Sequence, residues 1–203
     1  MITFPHTDSD FHGCSMAVGK LLCHVCCAQC YLGALQELAR EAKQVEGFFY
    51  NPNIHPLLEF RRRLKAVKVL AEQMKMKVHY EEDYKMQDFL RLVVGHEDER
   101  CRICHEARLR RTAKFAKAYG YDAFTTTLLA SKHRDHDAVA QLGREVGKEF
   151  GMEFFYRDLR PFAERGHDEA KKRNLYLQQY CGCIYSEYER FKDTRRYVYG
   201  VDN

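Results

Sequence analysis

One stretch of the chain, Leu21-Leu22-Cys23-His24-Val25-Cys26-Cys27-Ala28-Gln29-Cys30, constrains the fold more than any other. Its apolar start, residues 21–25, is typical of a buried strand, and the leucines and alanines that follow recur at helical spacing. The cysteines therefore fall at the turn between a strand and a helix. In an open α/β sheet this turn lies at the carboxyl end of a strand, where ligands bind. Sulfur stands here in the place where an ordinary phosphate-binding loop carries glycine.

Two further sulfur pairs lie far along the chain, at Cys101-x-x-Cys104 and Cys181-Gly182-Cys183. With Cys26 and Cys27 they offer six thiols, more than the four that one zinc ion or one iron–sulfur cluster requires. We therefore expect two adjacent metal sites, or one site beside thiols that do redox work without metal. The spacing leaves iron–sulfur, zinc and a dithiol/disulfide mechanism open.

The other cysteines carry smaller expectations. Cys14 belongs to a stretch without periodicity and is expected to be incidental, Cys23 is expected in the core, and the pattern gives Cys30 no role. Because side chains alternate along an extended backbone, we expect Cys26 and Cys27 to diverge and to serve different metals.

The bulk properties are those of a globular, cytoplasmic protein. The chain has 203 residues, of which 45% are hydrophobic, enough for one good core, and no apolar run approaches a membrane span. Nine cysteines in such a chain indicate metal or redox chemistry rather than a disulfide scaffold. We expect an N-terminal extension over residues 1–19 and a single α/β metalloenzyme domain over residues 20–203.

Strands and helices are predicted to alternate, which indicates a parallel, Rossmann-like sheet flanked by helices. The strands are predicted at residues 21–25, 45–50, 77–80, 122–127 and 153–156. The helices are predicted at about residues 29–43, 57–75, 86–94, 105–119, 138–150, 168–179 and 184–196. The crossover rule brings the ends of the first and fourth strands to one edge of the sheet.

Several polar residues are weaker candidates for the site. Asp135 and His136 could supply a hard ligand or a proton, or could simply begin a solvated helix. His24 fits a core position as well as a site position. The net charge of +4 is small, and the basic runs, such as Arg61-Arg62-Arg63 and Arg108-Leu109-Arg110-Arg111, are by default solvated helix faces. Together these runs could also form a phosphate-binding surface.

Five ordered motifs resemble the QueH-type epoxyqueuosine reductases over about residues 20–190. They are the cysteine stretch above, Asn-Pro-Asn-Ile-His-Pro from Asn51, Cys-Arg-Ile-Cys-His-Glu-Ala-Arg-Leu from Cys101, Thr-Thr-Thr-Leu-Leu-Ala-Ser from Thr125, and Tyr-Cys-Gly-Cys from Tyr180. The chain departs from the family's pattern at Gln29 and Lys132, where proline is usual. Both departures lie beside the sulfur groups and not on them.

The resemblance implies reduction of epoxyqueuosine to queuosine in the tRNA anticodon, the last step of queuosine synthesis. It implies a [4Fe–4S] cluster and an additional mononuclear iron, held by Cys26, Cys27, Cys101, Cys104, Cys181 and Cys183, without cobalamin or ATP. It also implies the sheet shared by adenine-nucleotide hydrolases and PP-loop enzymes, closed over the metal site by a helical C-terminal part. The expected partners are the tRNA anticodon loop and an external electron donor, with no membrane.

Within that chemistry, Asp135 or His136 is the expected proton donor. Two other functions stay open at this point. One is a zinc-stapled RNA-binding module without catalysis, and the other is a thiol-redox or sulfur-transfer enzyme acting on tRNA.

Overall fold

A five-stranded parallel sheet forms the centre of the molecule. The structure, a computed structural model, describes residues 18–132 and 134–194, so Cys14 and nearly all of the expected extension lie outside the described residues. The strand order is β3-β2-β1-β4-β5. The strands are β1 Val18–His24, β2 Ala42–Phe49, β3 Val78–Tyr80, β4 Ala123–Thr126 and β5 Glu153–Phe154. The α/β fold expected from the sequence is confirmed.

Helices connect the strands and cover the sheet. In the described part of the chain they are α1 Ala28–Glu41, α2 Leu57–Gln73, α3 Met86–Val93, α4 Arg100–Ala118, α5 His136–Phe150, α6 Ala163–Lys172 and α7 Ile184–Phe191. Leu21, Leu22 and Cys23 of β1 are fully buried, which is the pattern of a central parallel strand covered on both faces. The expected core position of Cys23 is confirmed.

The strand order places the cysteine stretch at a switch point of the sheet. β1 pairs with β2 on one side and with β4 on the other, and His24 lies opposite both Phe48 and Thr126. The chain leaves β1 toward α1 and leaves β4 on the other side of this point, so the carboxyl ends of the two strands border a crevice. Cys26 and Thr127 are therefore neighbours, as the crossover rule predicted.

Two predicted helices have wrong bounds, and both errors concern the cysteines. The helix expected from residue 105 begins at Arg100, so Cys101 and Cys104 lie in its first turn and not in the loop before it. The acidic residues Glu97–Glu99 immediately precede this helix, where negative charge is favourable. The helix expected at residues 168–179 ends at Lys172, and Asn174 adopts a left-handed conformation with φ of 53°.

Close packing of α6 on α1 directs the chain that follows α6. Gly33 of α1 and Gly166 of α6 face each other, and a Cβ on Gly166 would lie 2.3 Å from the carbonyl oxygen of Gln29. The irregular segment 173–183 then runs back to the carboxyl edge of the sheet. Within the described residues, no helix is both long enough and apolar enough to cross a membrane.

Candidate metal centre

Three cysteines converge at the turn between β1 and α1. The Sγ atoms of Cys26, Cys27 and Cys30 all lie within 4.8 Å of one another, and we call these residues the first sulfur group. Cys26 and Cys27 are 7% and 2% exposed, and their Sγ atoms are 3.7 Å apart. The expected divergence of these two side chains is therefore wrong. Cys27 caps α1, so the backbone turns between strand and helix and brings both sulfurs to the same side.

Cys30 is the ligand candidate that the sequence reasoning missed. It lies one helical turn after Cys27 on α1, and residues three apart share a helix face. The signal was present, since Cys27-Ala28-Gln29-Cys30 is itself a CxxC spacing. Pairing Cys26 with Cys27 as an isolated unit hid that spacing.

The surroundings of the first sulfur group favour negative charge. Thr127 Oγ1 accepts a hydrogen bond from the Cys26 amide at 3.0 Å and donates to Cys26 Sγ at 3.1 Å. Hydrogen bonds from Cys27 and Cys30 hold the pKa of Cys26 well below its usual range, against the effect of burial. Burial raises the pKa of Cys27 to about 12. The group thus favours one thiolate, which lies at the positive N-terminal end of α1.

The four other paired cysteines form a second sulfur group. Cys101 and Cys104 come from the first turn of α4, and Cys181 and Cys183 come from the loop before α7. Cys104 and Cys183 are buried and pack in one apolar cluster with Phe89 and Val93. Cys101 and Cys181 are exposed. This group is more open than the first, and among the described residues its sulfurs do not converge as closely.

The Cys181-Gly182-Cys183 loop is held by its backbone. The Gly182 carbonyl accepts a hydrogen bond from the His55 amide at 2.7 Å. Arg63, on α2, donates to the carbonyl oxygens of Tyr180 and Cys181, both at 2.9 Å. Gly182 has a φ of 142°, and a Cβ there would lie 3.1 Å from Asn53 Nδ2. The loop between β2 and α2, whose role in the sequence was unclear, thus fixes the position of the second sulfur group.

Two contacts connect the sulfur groups. Gln178, in the segment that follows α6, donates from Nε2 to Cys27 Sγ at 2.9 Å. Arg134, in the loop after β4, donates to Cys181 Sγ at 3.2 Å, and its charge also acts on Cys26 and Cys30. The C-terminal part of the chain therefore closes over the site, as predicted.

His24 is a core residue and not a ligand. Its side chain is fully buried, Nδ1 lies 2.9 Å from Thr126 Oγ1, and Nε2 lies 3.1 Å from the Tyr50 carbonyl oxygen. Burial, with a contribution from Arg108, lowers the pKa of His24 to about 3, so the ring is neutral. Both ring nitrogens are used in joining β1 to its two neighbours.

Asp135 and His136 lie at the start of α5. The Asp135 carboxylate accepts a hydrogen bond from the Ala138 amide at 2.9 Å and so caps the helix. His136 is 6% exposed, and its Nε2 lies 3.0 Å from the hydroxyl of Tyr156. A cap and a histidine–tyrosine pair are thus the observed contacts of the two proton-donor candidates.

Two arginines from the expected basic faces are buried instead. Arg63 is 2% exposed and paired with Glu59 at 2.7 Å, and Arg108 is 1% exposed with its guanidinium on Cys104. The assignment of these two side chains to a solvated or RNA-binding surface is therefore wrong. Their neighbours Arg61 and Arg62 are exposed.

The fold and the site define a parallel α/β protein with a cysteine-rich candidate metal centre at the carboxyl edge of its sheet. The chain belongs to the epoxyqueuosine reductase QueH family, whose sequence model matches residues 21–189. The family and the enzyme class expected from the sequence, an oxidoreductase, are confirmed.

Curated relatives carry the same family name along nearly their whole length. An epoxyqueuosine reductase QueH of Dehalococcoides mccartyi is 40% identical, covering 85% of this chain and 94% of the relative. One of Thermotoga maritima is 33% identical, covering 85% and 93% respectively. One of Streptococcus pyogenes is 31% identical, covering 82% and 70%.

Proposed function

We propose that this chain reduces epoxyqueuosine to queuosine in the anticodon of tRNA. The observation that carries the proposal is the meeting of seven cysteines, from three distant parts of the sequence, at the carboxyl edge of the sheet. Removing the epoxide oxygen consumes two electrons and two protons and leaves an alkene and water. No side chain can supply the electrons repeatedly, so such a reaction requires a redox centre and an external electron donor.

The donor set fits a [4Fe–4S] cluster with a neighbouring iron. Four thiolates hold such a cluster, and the remaining thiols are available to a second metal. Three sulfurs within 4.8 Å of one another match one metal ion, because tetrahedral metal–sulfur bonds of about 2.3 Å place sulfurs about 3.8 Å apart. Both sulfur groups, with Cys30 added to the six cysteines expected from the sequence, are the proposed ligands.

When bound, the iron centre supplies single electrons and a Lewis acid for the epoxide oxygen. The side chains of the chain have the other tasks. Segment 173–183 covers the first sulfur group through Gln178 and keeps bulk water from it. His136, with Tyr156 on its Nε2, or Asp135 is the proposed donor of the proton that releases the oxygen as water.

The proposed partner surface for tRNA is the exposed side of α2. Arg61, Arg62 and Lys65 are exposed there, on the same helix whose buried Arg63 holds the Cys181-Gly182-Cys183 loop. Phosphate contacts of this kind make affinity fall as salt rises. A cytoplasmic location, where tRNA is modified, belongs to this proposal.

The tRNA surface can be tested with paired arginine variants. We expect Arg61→Gln with Arg62→Gln to weaken tRNA binding severalfold and to reduce its salt dependence by about one phosphate contact each. The metal absorption spectrum should be unchanged, since both side chains point to solvent. Binding that is independent of salt would contradict this surface.

The reaction is tested with protein purified and reconstituted without oxygen. Given tRNA that contains epoxyqueuosine and a chemical reductant, it should yield queuosine, measured as a loss of one oxygen by mass spectrometry of the nucleosides. The same assay with Asp135→Asn and His136→Gln decides between the proton donors. A colourless, zinc-loaded protein that binds tRNA and forms no queuosine would instead support the zinc-stapled module.

A further inference from the structure

Two arginines at the site have sulfur, and no carboxylate, as their partner. Within residues 18–132 and 134–194, no Asp or Glu lies within ion-pair distance of Arg108 or Arg134. A guanidinium cannot lose its proton in a protein, so each site keeps a full positive charge. Because burying an unpaired charge is costly, these charges require an anion nearby.

Arg108 reaches Cys104 from within the same helix. It is the largest fully buried side chain among the described residues, at 1% exposure. Its Nε donates to the Cys104 carbonyl oxygen and its Nη2 donates to Cys104 Sγ, both at 3.1 Å. The four-residue spacing on α4 makes this contact possible without any loop.

Arg134 reaches Cys181 from the opposite side of the second sulfur group. Its Nη2 lies 3.2 Å from Cys181 Sγ, and its Nη1 lies 2.9 Å from His105 Nε2. A guanidinium only donates, so His105 accepts through Nε2 and its ring is neutral. His105 directly follows Cys104 on α4 and therefore orients Arg134 toward the sulfur without adding a competing negative charge.

Arg63 provides the internal contrast. It is equally buried, but Glu59 neutralises it at 2.7 Å and its remaining donors go to carbonyl oxygens. Its role is to position the backbone of the Cys181 loop. Arg108 and Arg134 point their charge at the sulfur atoms themselves.

We propose that Arg108 and Arg134 are positioning residues that set the reduction potential of the metal centre by charge-assisted N–H···S hydrogen bonds to Cys104 and Cys181. The proposal rests on the redox centre proposed above. Adding one electron to the centre adds negative charge next to the sulfurs, and two fixed cationic donors stabilise that charge. Hydrogen bonds to cluster sulfurs and the net charge around them are known levers on reduction potential.

The test is a reductive titration with dithionite, followed by electron paramagnetic resonance, of the anaerobically reconstituted holoprotein. We expect Arg134→Gln and Arg108→Gln each to lower the equilibrium constant for one-electron reduction at least tenfold, about 59 mV. Arg134→Lys keeps the charge and should lie closer to the wild type than Arg134→Gln. Matched controls are Lys132→Gln, exposed on the same loop, and Arg110→Gln, exposed on α4 and paired with Glu106 and Glu149.

Arg134 is only partly buried, so its variants carry the test if Arg108→Gln fails to fold. Variants that load the centre normally and keep the wild-type potential would overturn the proposal while leaving the proposed function intact. Folded variants that load no centre would also overturn it, because the arginines would then serve assembly and not tuning. A wild-type protein that forms no redox centre would overturn the proposed function and this inference together.

Discussion

The sheet carries two buried polar clusters, and they differ in how their charge is balanced. At the carboxyl edge are the two sulfur groups. In the amino-terminal half is Glu46 of β2, 1% exposed, with what we call the Glu46 cluster around it. That cluster consists of Glu46, Lys20, Gln44, Lys77, His79 and Tyr121.

Every partner of Glu46 comes from the chain itself. The Tyr121 hydroxyl and His79 Nε2 lie 2.6 and 2.8 Å from Oε2, and Gln44 Nε2 lies 2.6 Å from Oε1. Lys77 adds an ion pair at 3.2 Å. A buried network whose members are all satisfied rigidifies the structure around it. This cluster joins β2 to β3 and to the segment before β4, and it requires nothing from outside.

The sulfur groups are balanced in the opposite way. Seven thiols and two arginines without carboxylate partners meet there, within the described residues. The protein alone leaves both the thiols and the cations short of partners. The difference teaches that one end of the sheet is built for stability and the other is built to receive a charged group.

The largest expected effect separates a ligand from a core cysteine. Cys27→Ala should abolish metal loading at the first sulfur group and lower activity at least about 100-fold, more than the loss of an outer hydrogen bond would. The matched control is Cys23→Ala, on the same stretch but fully buried in the core. It should keep metal and activity and lose only about 1 kcal/mol of unfolding free energy. Full activity in the Cys27 variant would remove this group from the site.

The second effect belongs to the Glu46 cluster. Glu46→Gln should lower the free energy of unfolding by about 2 kcal/mol, because charge-assisted hydrogen bonds are replaced by weaker ones. Urea unfolding under anaerobic conditions measures this. Metal content and activity of the folded variant should be unchanged. A variant that keeps its stability and loses its metal would reverse the contrast between the two clusters.

A smaller effect is expected with pH. Burial alone would raise the pKa of Glu46, but hydrogen bonds from Tyr121, His79 and Lys77 outweigh burial and lower it. A lowered pKa in the folded state means that stability is present above the ordinary glutamate pKa of about 4.3 and is lost as pH falls through the folded value. The wild type should therefore lose stability below about pH 4.3 more steeply than Glu46→Gln. Parallel slopes for the two proteins would show that Glu46 is not the titrating group.

Periodicity predicted most of the fold because the central strands and the amphipathic helices repeat their apolar residues regularly. The start of α2 at Leu57 and of α3 at Met86 agree with prediction. The ends of α4 and α6 that border the site did not. Their bounds depend on the acidic turn before Arg100 and on the left-handed Asn174, which periodicity does not register.

The site was predictable where residues are paired in sequence and unpredictable where they are paired in space. The CxxC and CxC pairs announced the second sulfur group. Arg63 stands in a run of three arginines, and its burial depends on carbonyl oxygens 117 and 118 residues away. Arg108 depends on the sulfur it contacts. A run of basic residues carries no signal of either partner.

Metal and acid-labile sulfide analysis of active, anaerobically purified protein tests the central claim most directly. A centre held by both sulfur groups predicts a brown protein with the iron and sulfide of one [4Fe–4S] cluster and with iron in excess of that cluster. Stoichiometric zinc with no acid-labile sulfide, in protein that still reduces epoxyqueuosine, would contradict it.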